Sequence, residues 1–154
     1  MRAVIRLAPL FFIALFCMAL SIPAGPASAA DVIGQIKRVQ GTVQVERDGA
    51  RQAAVPGLEL HAADVVRTGP QAAVGITFSD NSLVALGPDT DFAIAEYRFN
   101  STTQDGAFRS RLSRGTLSVA SGRIAKHGTD RMLVETPSTI LGVRGTRFLV
   151  KVDD

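Results

Sequence analysis

Tryptophan is absent, and the 154 residues include only one tyrosine, two histidines and one cysteine. Each shortage excludes a class of chemistry. Binding single-stranded nucleic acid relies on a basic groove set with aromatic stacking platforms, and a chain this poor in Trp and Tyr does not present one. Covalent hydrolysis needs a nucleophile, a base and a group that orients the base. His61 and His127 each stand in a context that reads as solvent face or loop, and no Gly-x-Ser-x-Gly elbow accompanies them. Cys17, alone, permits no internal disulfide, so the fold must be held by burial. A sustained helical period is also missing after Asp31, where glycine recurs too often for a long helix.

The one long hydrophobic run lies at the start. Arg2 and Arg6 precede an apolar stretch from Leu7 to Ile22, which ends in Pro-Ala-Gly-Pro-Ala-Ser-Ala-Ala. That order is the layout of a secretory signal peptide, with Ala27-Ser28-Ala29 as the cleavage context and processing near Ala29 or Ala30. The run is shorter than the ~20 residues of a spanning helix, and Pro23 and Pro26 follow it, so no stable membrane span is expected in the processed chain. Bulky Phe16 precedes Cys17 where lipoprotein processing needs a small residue, which argues against lipidation. The reading is a signal-peptide helix over 1–30 and one domain over 31–154, periplasmic or secreted.

Past the leader the chain carries 15 basic and 14 acidic residues, a net charge of +1. The distribution is uneven: residues 31–105 carry −4 and residues 106–154 carry +5. Two explanations are open. The halves pack together with the charges spread over a solvated shell, or the second half presents a basic face to an anionic partner.

What is present is short alternation. Val43 and Val45 alternate with polar neighbours until Asp48-Gly49; Val74, Ile76 and Phe78 form the clearest amphipathic run. Leu83 to Leu86 is apolar throughout and reads as a strand buried on both faces. Phe92 and Ile94 share one parity and Tyr97 and Phe99 the other, which predicts a bulge between them. Residues 122–130 read as a polar connection. A faint repeat also runs through the chain: Gly41-Thr42-Val43, Gly115-Thr116-Leu117 and Gly145-Thr146, each a turn glycine, a β-branched residue and then alternation. The expectation is an all-β fold of two packed sheets, as a β-roll or irregular β-solenoid, with a β-sandwich as the alternative.

Four motifs, in order, carry a resemblance. They are Gly57-Leu58-Glu59-Leu60 through Asp64-Val65-Val66-Arg67-Thr68-Gly69, Phe78-Ser79-Asp80-Asn81-Ser82-Leu83, Gly115-Thr116-Leu117, and Thr136-Pro137 followed by Gly142-Val143-Arg144-Gly145-Thr146-Arg147-Phe148. Together they resemble the FecR domain, the extracytoplasmic module of ferric-citrate-regulator-type proteins, over almost the whole chain after residue 40. Ala63 and Asn81 stand where that family usually has glycine. Asn tolerates the left-handed backbone region, whereas Ala63 makes the geometry before Asp64 a point to test. The resemblance implies envelope sensing; full regulators of this type add a cytoplasmic anti-sigma region and a membrane span, which this sequence does not show.

These readings define the candidate residues. Gly142, Arg144, Gly145, Thr146, Asp64, Asp80 and Asn81 form the structural motif. Arg144, between two glycines, either donates to strand-end carbonyls in a structural network or offers a planar fork to a partner carboxylate. Arg109, Arg111, Arg147, Phe148 and Lys151 form a candidate interaction face. The last strand, Thr146 to Val152, is a candidate edge that could accept a partner's strand. Asp64, Asp80, Asp89 and Asp91 are the carboxylates a glycan hydrolase would have to bring together in pairs. Asp89-Thr90-Asp91 lacks the ordered alternation of a calcium loop, so neither metal nor cofactor is expected. The function expected is a non-enzymatic extracytoplasmic module that binds an envelope protein or polymer and senses or signals. The alternatives are an envelope glycan hydrolase or a purely structural domain.

Overall fold

The structure, a computed structural model, describes residues 31–145 and 147–153; the expected signal peptide with Cys17, together with Thr146 and Asp154, lies outside the described residues. The fold is all-β, with one short 3-10 turn at Ile124–Lys126. Twelve strands form it among the described residues. The first eight are β1 (Gly34–Gln40), β2 (Val43–Arg47), β3 (Ala50–Ala53), β4 (Glu59–Leu60), β5 (Val65–Thr68), β6 (Ala73–Phe78), β7 (Leu83–Leu86) and β8 (Asp91–Phe99). Then come β9 (Gly106–Ala120), β10 (Met132–Glu135), β11 (Ile140–Gly142) and β12 (Arg147–Val152).

The pairing divides into two ladders. One runs β4-β1-β6-β7 and the other β3-β2-β5-β8. The fifteen-residue β9 joins them: residues 106–114 pair with β8, and residues 117–120 pair with β7. Its free sides take β10, in parallel, and β12, antiparallel. The expected all-β class holds, and the two packed layers are joined: because β9 belongs to both ladders, they form one continuous sheet curled into a half-barrel.

The curl has a local cause. Three of the passages from one ladder to the other, β1 to β2, β5 to β6 and β7 to β8, take a residue of positive φ, at Gly41, Gln71 and Asp89, and β9 bends at Gly115 (φ +90°). These corners line up along a crease stitched by threonines. Thr42 O accepts from Gly69 N at 2.9 Å, Thr68 Oγ1 donates to Gly87 O at 2.6 Å, and Thr90 Oγ1 accepts from Thr116 N at 3.0 Å. The Gly-Thr repeat in the sequence is thus, in its first two copies, a pair of corners. At Gly115 no other residue fits, since an added Cβ would lie 2.3 Å from Thr90 Oγ1.

Alternation then fills the inside of the curl. Ile36, Val74, Ile76, Phe78, Val84, Leu86, Leu117 and Val119 come from one ladder, and Val45, Val66, Phe92, Ile94, Phe108 and Leu112 from the other. Each fully buried large side chain contributes roughly 1.5–3 kcal/mol. Phe78, Tyr97 and Phe108 meet as an aromatic triad, with centroids 4.6–5.4 Å apart. Tyr97 reaches it because the β8–β9 register shifts between Ile94 and Glu96, the bulge that the change of parity predicts.

Two expectations are corrected. β7 is covered on one face only, with Val84 and Leu86 buried but Leu83 half exposed and Ala85 open, because nothing packs on the outside of its ladder. The 122–130 connection is not simply polar: Ile124 and Ala125 are fully buried and close one end of the core.

Candidate interaction site

Three of the four acids singled out from the sequence, Asp64, Asp80 and Asp91, are held in internal hydrogen bonds or ion pairs. Asp64 is fully buried in the turn between β4 and β5, where Arg47 Nε lies 2.8 Å from Oδ1 and Nη2 2.7 Å from Oδ2. The same guanidinium donates to Glu59 O, and the His61 backbone N–H donates to Asp64 Oδ2. Hydrogen bonding to Asp64 raises the Arg47 pKa further. Such a carboxylate, buried and bonded at both oxygens, fixes a turn.

Asp80 is likewise buried, between β6 and β7. Its Oδ1 accepts from Ser82 N (3.0 Å) and Tyr97 Oη (3.2 Å), and its Oδ2 from Ser82 Oγ (2.7 Å) and Ile124 N (3.3 Å). Gly122 lies so close that an added Cβ would fall 2.4 Å from Asp80 O. Asp80 therefore ties the β6–β7 turn to the segment after β9. Burial, and then the Asp80 charge, push the Tyr97 phenol well above its ordinary value of 10. Asn81 takes φ +67°, the left-handed geometry its side chain tolerates, and Ala63 takes φ +71° with no such help.

Asp91 lies on the outer face of β8 and holds Arg67 at 2.8 Å; Arg67 also pairs with Glu46, which Arg51 reaches at 2.8 Å. These two arginines, hydrogen-bonded to it, hold the Glu46 carboxyl below its ordinary 4.5. Asp89 is an exposed corner residue. Among the described residues no group of three or more His, Cys, Asp or Glu side chains is placed to hold a metal ion, and no helix is long and apolar enough to cross a membrane. A shallow cleft of about 590 Å³ beside Tyr97 is lined by Val32, Ser79, Arg98, Asn100 and Asp105, and by none of the four acids.

The candidate interaction face is split by the crease. Arg109 and Arg111 stand on the outside of the β8–β9–β10 region, Arg109 3.4 Å from Glu96 and Arg111 3.0 Å from Glu135. Arg147 and Lys151 are on β12, in the other ladder, facing outward; Phe148 points the opposite way, half-buried against the core. The acidic and basic parts of the sequence do meet: Glu96 with Arg109, and Asp105 with Arg131 at 3.4 Å.

The closing motif separates the roles of its residues. Gly142 is a close approach, with Thr129 O 2.5 Å from where a Cβ would stand; Gly145 takes φ +57° with open space around it. Val143 between them is buried and donates its N–H to Met132 O. Arg144 is exposed, and its side chain makes no hydrogen bond or ion pair among the described residues. Among the described residues it donates to no strand-end carbonyl. Sequence reasoning missed Arg47 and Ser82, the partners of the two buried acids. The only signal for them is that a buried carboxylate must be satisfied.

A family model described as "FecR protein" matches residues 64–154. No curated protein and no solved structure matches the chain at a significant level.

Proposed function

The chain belongs to the FecR protein family, and we infer from that membership that it is an extracytoplasmic sensing or signalling module. It acts by binding a protein or polymer of the cell envelope, without catalysis, in the periplasm or outside the cell once the leader over 1–30 is removed. Its curled sheet works as an irregular β-roll that presents loops and edges.

Arg144 carries the reading. It sits within the family signature, on a loop pinned by buried Val143, and has no partner in the described fold. A guanidinium held on a fixed loop and left out of the internal network suits a bidentate contact with a carboxylate or phosphate of another molecule. Supporting this over hydrolysis, Asp64, Asp80 and Asp91 are each taken up by hydrogen bonds or ion pairs that hold the sheet.

The test is affinity capture from envelope extract, comparing the native chain with Arg144→Ala and Arg144→Glu, alongside fractionation of the producing cells. The expected result is an exported protein that retains an envelope component, weakly with Arg144→Ala, not at all with Arg144→Glu, and with unchanged melting for both variants. Protein confined to the cytoplasm, or retention indifferent to both substitutions, overturns it.

A further inference from the structure

Among the described residues four strands end the two ladders: β4 with two residues, β11 with three, β3 with four and β12 with six. Long regular edges invite pairing. β3 is exposed at every position and offers no apolar row, whereas β12 leaves Phe148, Val150 and Val152 half-covered beside the core. Leu149, on its outer face, is 66% exposed.

The direction of the backbone groups can be followed across the sheet. Gly87 N donates to Thr116 O, so Thr116 and, two residues on, Ser118 turn their backbone groups toward β7. Leu117 and Val119 then turn toward β12, where they face Val150 and Phe148. It follows that Arg147, Leu149, Lys151 and Asp153 aim their N–H and C=O groups at the edge that no described strand covers. An antiparallel partner strand must match odd residues with odd residues if it is a copy of this strand.

Between the two registers that pair five of the six β12 residues, centred on Leu149 or Val150, charge selects one. With Leu149 opposite itself, Arg147 would face Lys151; with Lys151 opposite itself, two ammonium groups would meet. With Val150 on the two-fold axis, Arg147 faces Asp153, Leu149 faces the alkyl stem of Lys151, and Phe148 covers Val152. The half-buried row is then closed by its own copy. We propose that β12 pairs antiparallel with β12 of a second copy, Val150 opposite Val150, making one sheet that runs through both molecules. The pairing is isologous, so it closes at two. It is independent of the role assigned to Arg144.

Cross-linking reads the register directly. Val150 points its backbone groups at β9, so it meets its copy as a non-hydrogen-bonded pair with Cα atoms about 4.5 Å apart, within disulfide range. Two Phe148 residues would lie roughly 13 Å apart, four residues along the strand. In the full chain carrying Cys17→Ser, Val150→Cys is expected to oxidise to a covalent dimer and Phe148→Cys is not. Two outward variants leave the core untouched if either cysteine impairs folding. Arg147→Glu and Asp153→Arg, each acting twice across the axis, are expected to weaken dimerisation about tenfold in sedimentation, and the double variant to restore it. Equal cross-linking of both cysteines, none from Val150→Cys, or no restoration in the charge exchange overturns the proposal. So does a monomer that captures a foreign protein through an edge blocked by Leu149→Pro.

Discussion

Arg47 grips both carboxylate oxygens of Asp64, at 2.8 and 2.7 Å, from a position one-third exposed while the acid is wholly buried. The pair joins β2 to the β4–β5 turn, and Glu59 O and the His61 N–H complete its bonds. Removing Arg47 leaves the buried carboxylate only the His61 N–H, and removing Asp64 leaves the guanidinium only Glu59 O and its exposed side. Arg47→Ala strands a buried carboxylate, and Asp64→Ala strands the fork.

Each of those two substitutions is expected to cost about 3 kcal/mol, the usual loss when one partner of a buried pair is removed. Urea denaturation of both single variants and the double variant measures it. The double is expected to lose less than the sum of the singles, since the second removal strands nothing new. Additive losses would show the two side chains acting separately.

Ala63 stands just ahead of Asp64, and at φ +71° its methyl is strained. Its N–H still bonds Ile94 O at 2.9 Å, so the conformation is imposed by the turn that presents Asp64. Ala63→Gly is expected to stabilise by roughly 0.5–1 kcal/mol, the relief of left-handed strain less the extra freedom glycine gives the unfolded chain. A higher urea midpoint with unchanged slope is the sign to look for; a lower midpoint would contradict the strain.

Gly115→Ala should do the reverse. Its Cβ would meet Thr90 at 2.3–2.5 Å, backbone included, and a φ of +90° is poor for any side chain. The expected loss is at least ~3 kcal/mol, from strain and displaced packing together. Gly145→Ala shares the positive φ but meets nothing within 4 Å, so it serves as the control and should cost about 1 kcal/mol. Equal losses at the two sites would mean the crease tolerates opening.

Tyr97 is the only tyrosine and there is no tryptophan, so its ionisation can be followed by ultraviolet absorbance without interference. Burial and the Asp80 charge favour the neutral phenol, so its folded pKa lies above the unfolded value near 10. A raised phenol pKa gives stability that is complete below pH 10 and is lost as pH climbs above it. The native chain is expected to show no phenolate signal at pH 10 and then to gain it together with unfolding. Tyr97→Phe should remove this alkaline loss. A reversible titration near pH 10 in folded protein would contradict it.

Some of this was legible in one dimension. Alternation placed Val74, Ile76 and Phe78 inward, and the break in parity after Ile94 located the β8 bulge, because a strand's period of two is local information. Asn81 declared its left-handed turn through its own chemistry. What escaped depends on neighbours remote in sequence. Leu83 to Leu86 reads as buried on both faces until one knows that no layer covers its ladder. Ile124 and Ala125 are too few to make a pattern, yet they close the core. The partners Arg47 for Asp64 and Ser82 for Asp80 follow only from register and turn, and the separation of Arg109 and Arg111 from Lys151 only from the crease.

The sharing of β9 bears on how the chain reaches this state. Before residues 106–120 are available, β1 to β8 can form only two four-stranded ladders with no strand pairing between them. Neither has its inner face covered except by the other. The strand that joins them, and then accepts β10 and β12, arrives last but for the tail. Such long-range closure is slow, and the incomplete ladders remain sticky and open-edged until it happens. A polypeptide built this way stays unfolded easily while its C-terminal third is missing, so any truncation within β9 is felt by both ladders at once.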